Sequence, residues 1–155
     1  MGKLFGSETF DPKFILTQIW VLQSGFYLIQ FFILTLLNGF FGLHNDLGQI
    51  FSDQVFLVQD AYGLVWVLTN ILSLPFVCAG IVVVVERTYK CLDFTVTVYL
   101  IHLGFVVAYS GVPFNLYWWG MNGILVSVTV LISEYFCMKI EQQEITLTFT
   151  STKSI

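Results

Sequence analysis

Between Ala61 and Val85 the chain runs for 25 residues without a charged side chain. A helix of that length rises roughly 37 Å, enough to cross the ~30 Å hydrocarbon core of a bilayer with some tilt. Three further long apolar runs follow: Phe14–Leu37, about Leu92 to Ser110 and about Leu116 to Met138, the last two holding one charge each, Asp93 and Glu134. A water-soluble core built from 155 residues has no room to hide four such runs. Composition agrees, with 57% apolar and only 10% charged residues where soluble proteins average about 25% charged. The expectation is an all-α membrane protein, a single domain over 1–155 with four transmembrane helices in an antiparallel bundle.

The turns between these runs are legible in chain order. Asp11-Pro12 reads as a helix start, because Asp caps with its side chain and Pro loses no bond at the first helical position. The first run is too long for the apolar core of a signal peptide, about 7–15 residues, and no small-residue cleavage site follows it. Gly6 stands where a myristoylation signal wants Ser or Thr. Asn38-Gly39 is expected to end the first span. In the connection to Asp60, Asp46 and Gln49 match a capping box, and Leu47, Ile50, Phe51, Val55 and Val58 share a face. That pattern predicts an amphipathic helix lying on the bilayer surface. Pro75 should kink the second span. Glu86–Cys91 leaves room only for a short turn, so spans two and three form a hairpin. Gly111-Val112-Pro113 stops the third span, and Tyr117, Trp118 and Trp119 mark the interfacial start of the fourth. Residues 139–155 read as a flexible tail after a turn or two of continuing helix.

All six Lys and Arg fall on one side: Lys3 and Lys13, Arg87 and Lys90, then Lys139 and Lys153. The connections 38–60 and 111–115 have none. The positive-inside rule therefore puts both termini and the 86–91 turn in the cytoplasm.

Polar residues inside the spans carry the candidate chemistry, since lipid penalises them and a span keeps them for a reason. Asp93 and Glu134 fall near the cytoplasmic interface, within reach of headgroups or of Arg87, Lys90 and Lys139. His102 lies ten residues in, near the midplane. Depth counting sets Gln23 and Thr129 level with it as hydrogen-bond partners. The charge balance of −4 and six basic residues exclude a nucleic-acid footprint. No metal-ligand spacing, Gly-rich phosphate loop or nucleophile motif occurs, so neither an enzyme nor a cofactor protein is indicated. Cys78, inside an apolar run, reads as a buried thiol, whereas Cys91 and Cys137 at the membrane edge suit palmitoylation. A small proton- or solute-coupled transporter using His102 is the alternative reading, though no repeat or paired broken helices support it.

One set of residues resembles a known family. Asp11, Pro12, Ile15, Leu16, Gln18 and Ile19, continued by Leu22, Gln23 and Tyr27, match the start of the Sys family of Golgi integral membrane proteins. The block Cys91-Leu92-Asp93-Phe94-Thr95-Val96-Thr97 is the most specific piece, followed by His102-Leu103. Trp118-Trp119, then Glu134-Tyr135-Phe136-Cys137-Met138 and Glu144-Ile145, complete it. Tyr99 stands where the family has His, Ser133 where it has Gly and Thr146 where it has Pro, which argues against a paired-imidazole site. The resemblance implies a four-span protein of the trans-Golgi network membrane. It further implies a receptor for an N-terminally acetylated Arf-related small GTPase, supporting vesicle traffic that includes endosome-to-Golgi retrograde transport. The partners are then the GTPase and the lipid bilayer, and the sequence leaves oligomer formation open. On physical grounds Gln18, Arg87, Lys90, Asp93 and Glu134 would line the mouth of a groove for the GTPase's apolar N-terminal helix.

Overall fold

The computed structural model describes residues 11–52, 60–85 and 87–152, the backbone alone from 144 onward. Its elements are α1 (Pro12–Phe41), α2 (Gly48–Phe51), α3 (Ala61–Val85), α4 (Thr88–Ser110) and α5 (Leu116–Thr152). The four long helices are each apolar enough over sufficient length to cross a membrane. They alternate in direction, so the bundle has two ends. One holds Lys13, the α3–α4 turn and Lys139, and is called the charged end below; the other holds α2.

The bundle is inside-out relative to a soluble protein. Phe40, Trp20 and Leu28 are 84%, 72% and 70% exposed, while Thr95, Thr129 and Ser133 are fully buried. An apolar exterior around a polar seam is stable only with hydrocarbon outside. Three threonine hydroxyls inside are satisfied along their own helices, whereas Ser133 Oγ makes no hydrogen bond. Thr69, Thr95 and Thr129 donate to the carbonyls of Val65, Cys91 and Leu125 at 2.7–2.8 Å.

Asp11 caps α1 as the Asp-Pro pair predicts, accepting from the Lys13 N–H at 3.0 Å with Pro12 at the first position. The far end differs from the expectation. Helix α1 runs through Asn38-Gly39 to Phe41 and stops at Gly42, which adopts φ 67°. That left-handed conformation suits glycine. Asn38 stays helical because its amide is held from the next segment: Nδ2 donates to Asn45 Oδ1 at 2.8 Å and to Gln49 Oε1 at 2.7 Å.

The connection also departs from the surface helix that the pattern predicts. Helix α2 is four residues long, starts from Leu47 without a side-chain cap, and buries Gly48, Gln49 and Ile50. Ile50 packs with Leu34 of α1 and Val65 of α3. Phe51 meets Tyr27, His102, Phe105 and Tyr109 at ring separations of 5.5–6.4 Å. Its carbonyl accepts from Ser110 Oγ at 3.0 Å. The segment plugs the end of the bundle rather than lying on lipid, and only Leu47 of the described part of the predicted face is exposed. Val55 and Val58 lie outside the described residues.

Helix α3 spans the residues expected and contains Pro75. Helix α4 begins four residues before the expected span. Its first N–H group finds an acceptor from α5: Glu141 takes Thr88 N–H at 3.2 Å and Thr88 Oγ1–H at 2.9 Å. A carboxylate at a helix N-terminus satisfies orphan donors and the helix dipole together. The supposed 86–91 turn is therefore mostly the first helical turn. Asn115 starts α5 by accepting from Tyr117 N–H at 3.0 Å, and the helix continues to Thr152, well past the span expected to end at Met138.

Candidate functional site

At the charged end all four long helices meet in one apolar cluster. It contains Leu22 of α1, Val85 of α3, Cys91 and Phe94 of α4, and Cys137 of α5, with Ile15, Ile19 and Val84 against it. The five residues singled out as partner-binding are arranged about this cluster. Gln18 is half-buried and its Nε2 donates to the Val84 carbonyl at 2.6 Å, strapping α1 to the last turn of α3. Arg87, exposed, is the residue before α4, and its carbonyl accepts from Lys90 N–H at 3.1 Å. The half-buried Lys90 holds its ammonium 5.4 Å from the Tyr89 ring centre. Asp93 is exposed in the second turn of α4, and Glu134 is half-buried on α5, three residues before Cys137. Lys139 adds a cation 4.8 Å from the Tyr135 ring centre.

An apolar crevice of about 150 Å³ descends from Val84 along the α1–α3 seam. Val21, Leu22, Gly25, Phe76, Gly80 and Val98 are among its walls. Gly25 and Gly80 leave it open, since neither has a side chain to fill it. None of the five polar residues lines it. The structure therefore brings them to the end of the bundle where the crevice begins and leaves its walls apolar. Cys91 and Cys137 are fully buried, with sulfurs 3.1 Å apart. That leaves neither thiol presented to an acyl donor, against the expectation of palmitoylation.

The intramembrane polar residues sit elsewhere. His102 is buried, and its Nδ1 lies 3.3 Å from the Tyr27 hydroxyl. Depth counting proposes Gln23 or Thr129 instead. Gln23 is buried one helical turn before Tyr27, and neither of its amide atoms makes a hydrogen bond. Thr129 is paired with Tyr99 at 3.5 Å, one turn before His102 on α4. Tyr99 thus uses its hydroxyl where an imidazole was expected by resemblance. Beyond His102 a polar seam continues, with Gln30 Nε2 donating to Asn70 Oδ1 at 3.1 Å. These side chains and Gln49 enclose a space of about 10 Å³, room for a single water at most.

Comparison with known proteins agrees with a non-enzymatic membrane role. Residues 5–147 match the SYS1 family, described as an integral membrane protein linking to the trans-Golgi network. The chain belongs to this family. It is 29% identical over 145 residues to the SYS1 homologue of Nematostella vectensis, covering 94% of this chain and 92% of that one. The homologue of Dictyostelium discoideum is 33% identical over 140 residues, covering 90% of this chain and 60% of that longer one. No solved structure matches. Membership makes the chain a multi-pass protein of the trans-Golgi network membrane and sets it among trafficking proteins, not enzymes. The block Cys91 to Thr97 lies within the matched residues and forms early turns of α4 at the charged end.

Proposed function

We propose that the protein is a trans-Golgi receptor that recruits an Arf-related small GTPase through the charged end of the bundle. On this reading it supports vesicle traffic, including retrograde transport from endosomes. The observation that carries the reading is the placement of Gln18, Arg87, Lys90, Asp93 and Glu134 around one end, beside an apolar crevice that starts there. An amphipathic N-terminal helix inserts apolar side chains into such a crevice while its polar face meets the charged groups. Acetylation helps because an uncharged N-terminus enters without the desolvation cost of an ammonium.

The charged end must then be cytoplasmic, as its cations suggest. A glycosylation sequon on a flexible spacer inserted between His44 and Asn45 is expected to be modified in cells, and one fused to either terminus is not. The opposite pattern removes the receptor reading, because the GTPase is cytosolic.

The deciding experiment is capture of the GTPase by the purified protein in micelles or nanodiscs, with the GTPase either acetylated or not. Acetylation-dependent capture is the expected result; equal capture of both forms, or none, overturns it. A proton or solute flux in liposomes lost with His102→Ala would instead support transport. The 10 Å³ enclosed beside that imidazole offers such a solute no site.

A further inference from the structure

We propose that Cys91 and Cys137 are a dithiol–disulfide site, oxidised by hydrogen peroxide to a bond between α4 and α5 and restored by a thiol reductant. The site goes beyond the receptor reading and does not depend on it. Three thiols are present, and the structure separates them sharply. Cys78 sits on α3, its sulfur 4.0 Å from the Thr129 carbonyl. The other two face each other across the α4–α5 seam at 3.1 Å, both fully buried. A disulfide bond is about 2.05 Å long, so the sulfurs need approach by only about 1 Å, within the reach of small side-chain rotations.

Position makes the pair more than a chance contact. Cys91 lies in the first turn of α4, where its thiol also reaches the Arg87 carbonyl at 3.4 Å. Cys137 lies one turn below Glu141, whose carboxylate caps Thr88. The two sulfurs therefore sit directly beneath the polar strap that already joins these helices. Opening of a helix's terminal turn is among the lowest-energy motions of a fold. Such opening admits a molecule as small as hydrogen peroxide, whereas the closed state shields the sulfurs from further oxidation.

The chemistry balances with that oxidant. One thiol loses its proton, and its sulfur attacks an oxygen of the peroxide. The O–O bond breaks, a sulfenic acid forms and water leaves. The second sulfur then attacks the sulfenic sulfur, the S–S bond forms, and a second water departs. Two thiols are oxidised and one peroxide is reduced to two waters. With the charged end in the cytosol, as the Lys and Arg distribution alone predicts, the glutathione pool keeps the resting pair reduced, so the bond records an oxidative pulse.

Thiol counting on the full chain tests this directly, in native membranes and after purification in micelles. Brief peroxide treatment is expected to lower the number of alkylatable thiols from three to one. The monomer should lose two hydrogens in mass, with a peptide pair linking Cys91 to Cys137, and dithiothreitol should restore all three thiols. Cys91→Ser and Cys137→Ser are each expected to block the cross-link and leave a sulfenic acid that a dimedone probe captures. Cys78→Ser should form the cross-link normally. Retention of all three thiols in the unsubstituted chain overturns the proposal, as does a link through Cys78 or between two chains. That readout needs no variant, so a substitution that fails to fold leaves the test intact.

Discussion

Replacing Phe26 with Ala should destabilise the bundle by about 3 kcal/mol, among the largest effects expected from a single truncation. Phe26 is 4% exposed and stands at the crossing of three helices. Its ring meets Tyr27, Tyr99 and His102 edge-on at centroid separations of 5.3, 5.7 and 5.5 Å. It also packs in the cluster with Val77, Ile81 and Val98. In a bilayer the unfolded helices remain in apolar surroundings, so the transfer contribution that dominates in water is largely missing. What Ala loses is contact with packed neighbours, and the void joins a crevice that Phe26 already borders. Leu28, two residues on, is 70% exposed to lipid, and Leu28→Ala should cost under about 0.5 kcal/mol. Reversible denaturation in mixed micelles checks both. Similar losses for the two variants would mean that the described packing does not hold the bundle together.

The same residues show why some features were legible in the sequence and others were not. Helix α3 matched its expected limits because 25 uncharged residues contain no competing stop and lipid demands a closed backbone. The end of α1 was misplaced because Asn38-Gly39 is a local stop signal, overruled by Asn45 and Gln49 holding the Asn38 amide from a segment yet to come. The start of α4 was hidden for the same reason: its cap is Glu141, 53 residues away. Counting residues from the membrane face gives depth but not rotation. It therefore placed Gln23 beside His102, when the hydroxyl facing the imidazole belongs to Tyr27, one turn further along that face. Of the amphipathic pattern in the connection, Ile50 and Phe51 pack into the cluster of Leu34 and Val65 instead of facing lipid. The Cys91–Cys137 contact had no sequence signal at all, since 46 residues of separation match no spacing rule. The charges at the candidate site are a matter of position alone. Their positions at the borders of apolar runs set them at one end, and the structure has the described ones there.

Reversing charge at Asp93 and Glu134 together should reduce capture of the GTPase at least ten-fold while leaving the bundle folded. Asp93 is exposed and Glu134 half-buried on adjacent helices, and neither belongs to a buried cluster, so Asp93→Lys with Glu134→Lys leaves the clusters' side chains in place. The reversed charges act on a partner, because like charges set against an interface both slow the encounter and oppose docking. A ten-fold loss corresponds to about 1.4 kcal/mol, modest for two reversed charges at one contact. If the contribution is electrostatic, the loss should also shrink as salt rises and the Debye length falls below ~8 Å. Asp46→Lys supplies the control, since Asp46 is equally exposed but lies at the α2 end; capture there should not change. Titration by surface-bound protein at two salt concentrations gives all the needed constants. Unchanged capture by the doubly reversed protein, correctly located at the Golgi, would remove these carboxylates from the interface. The apolar crevice between α1 and α3 would then have to bind the partner without the charged end's help.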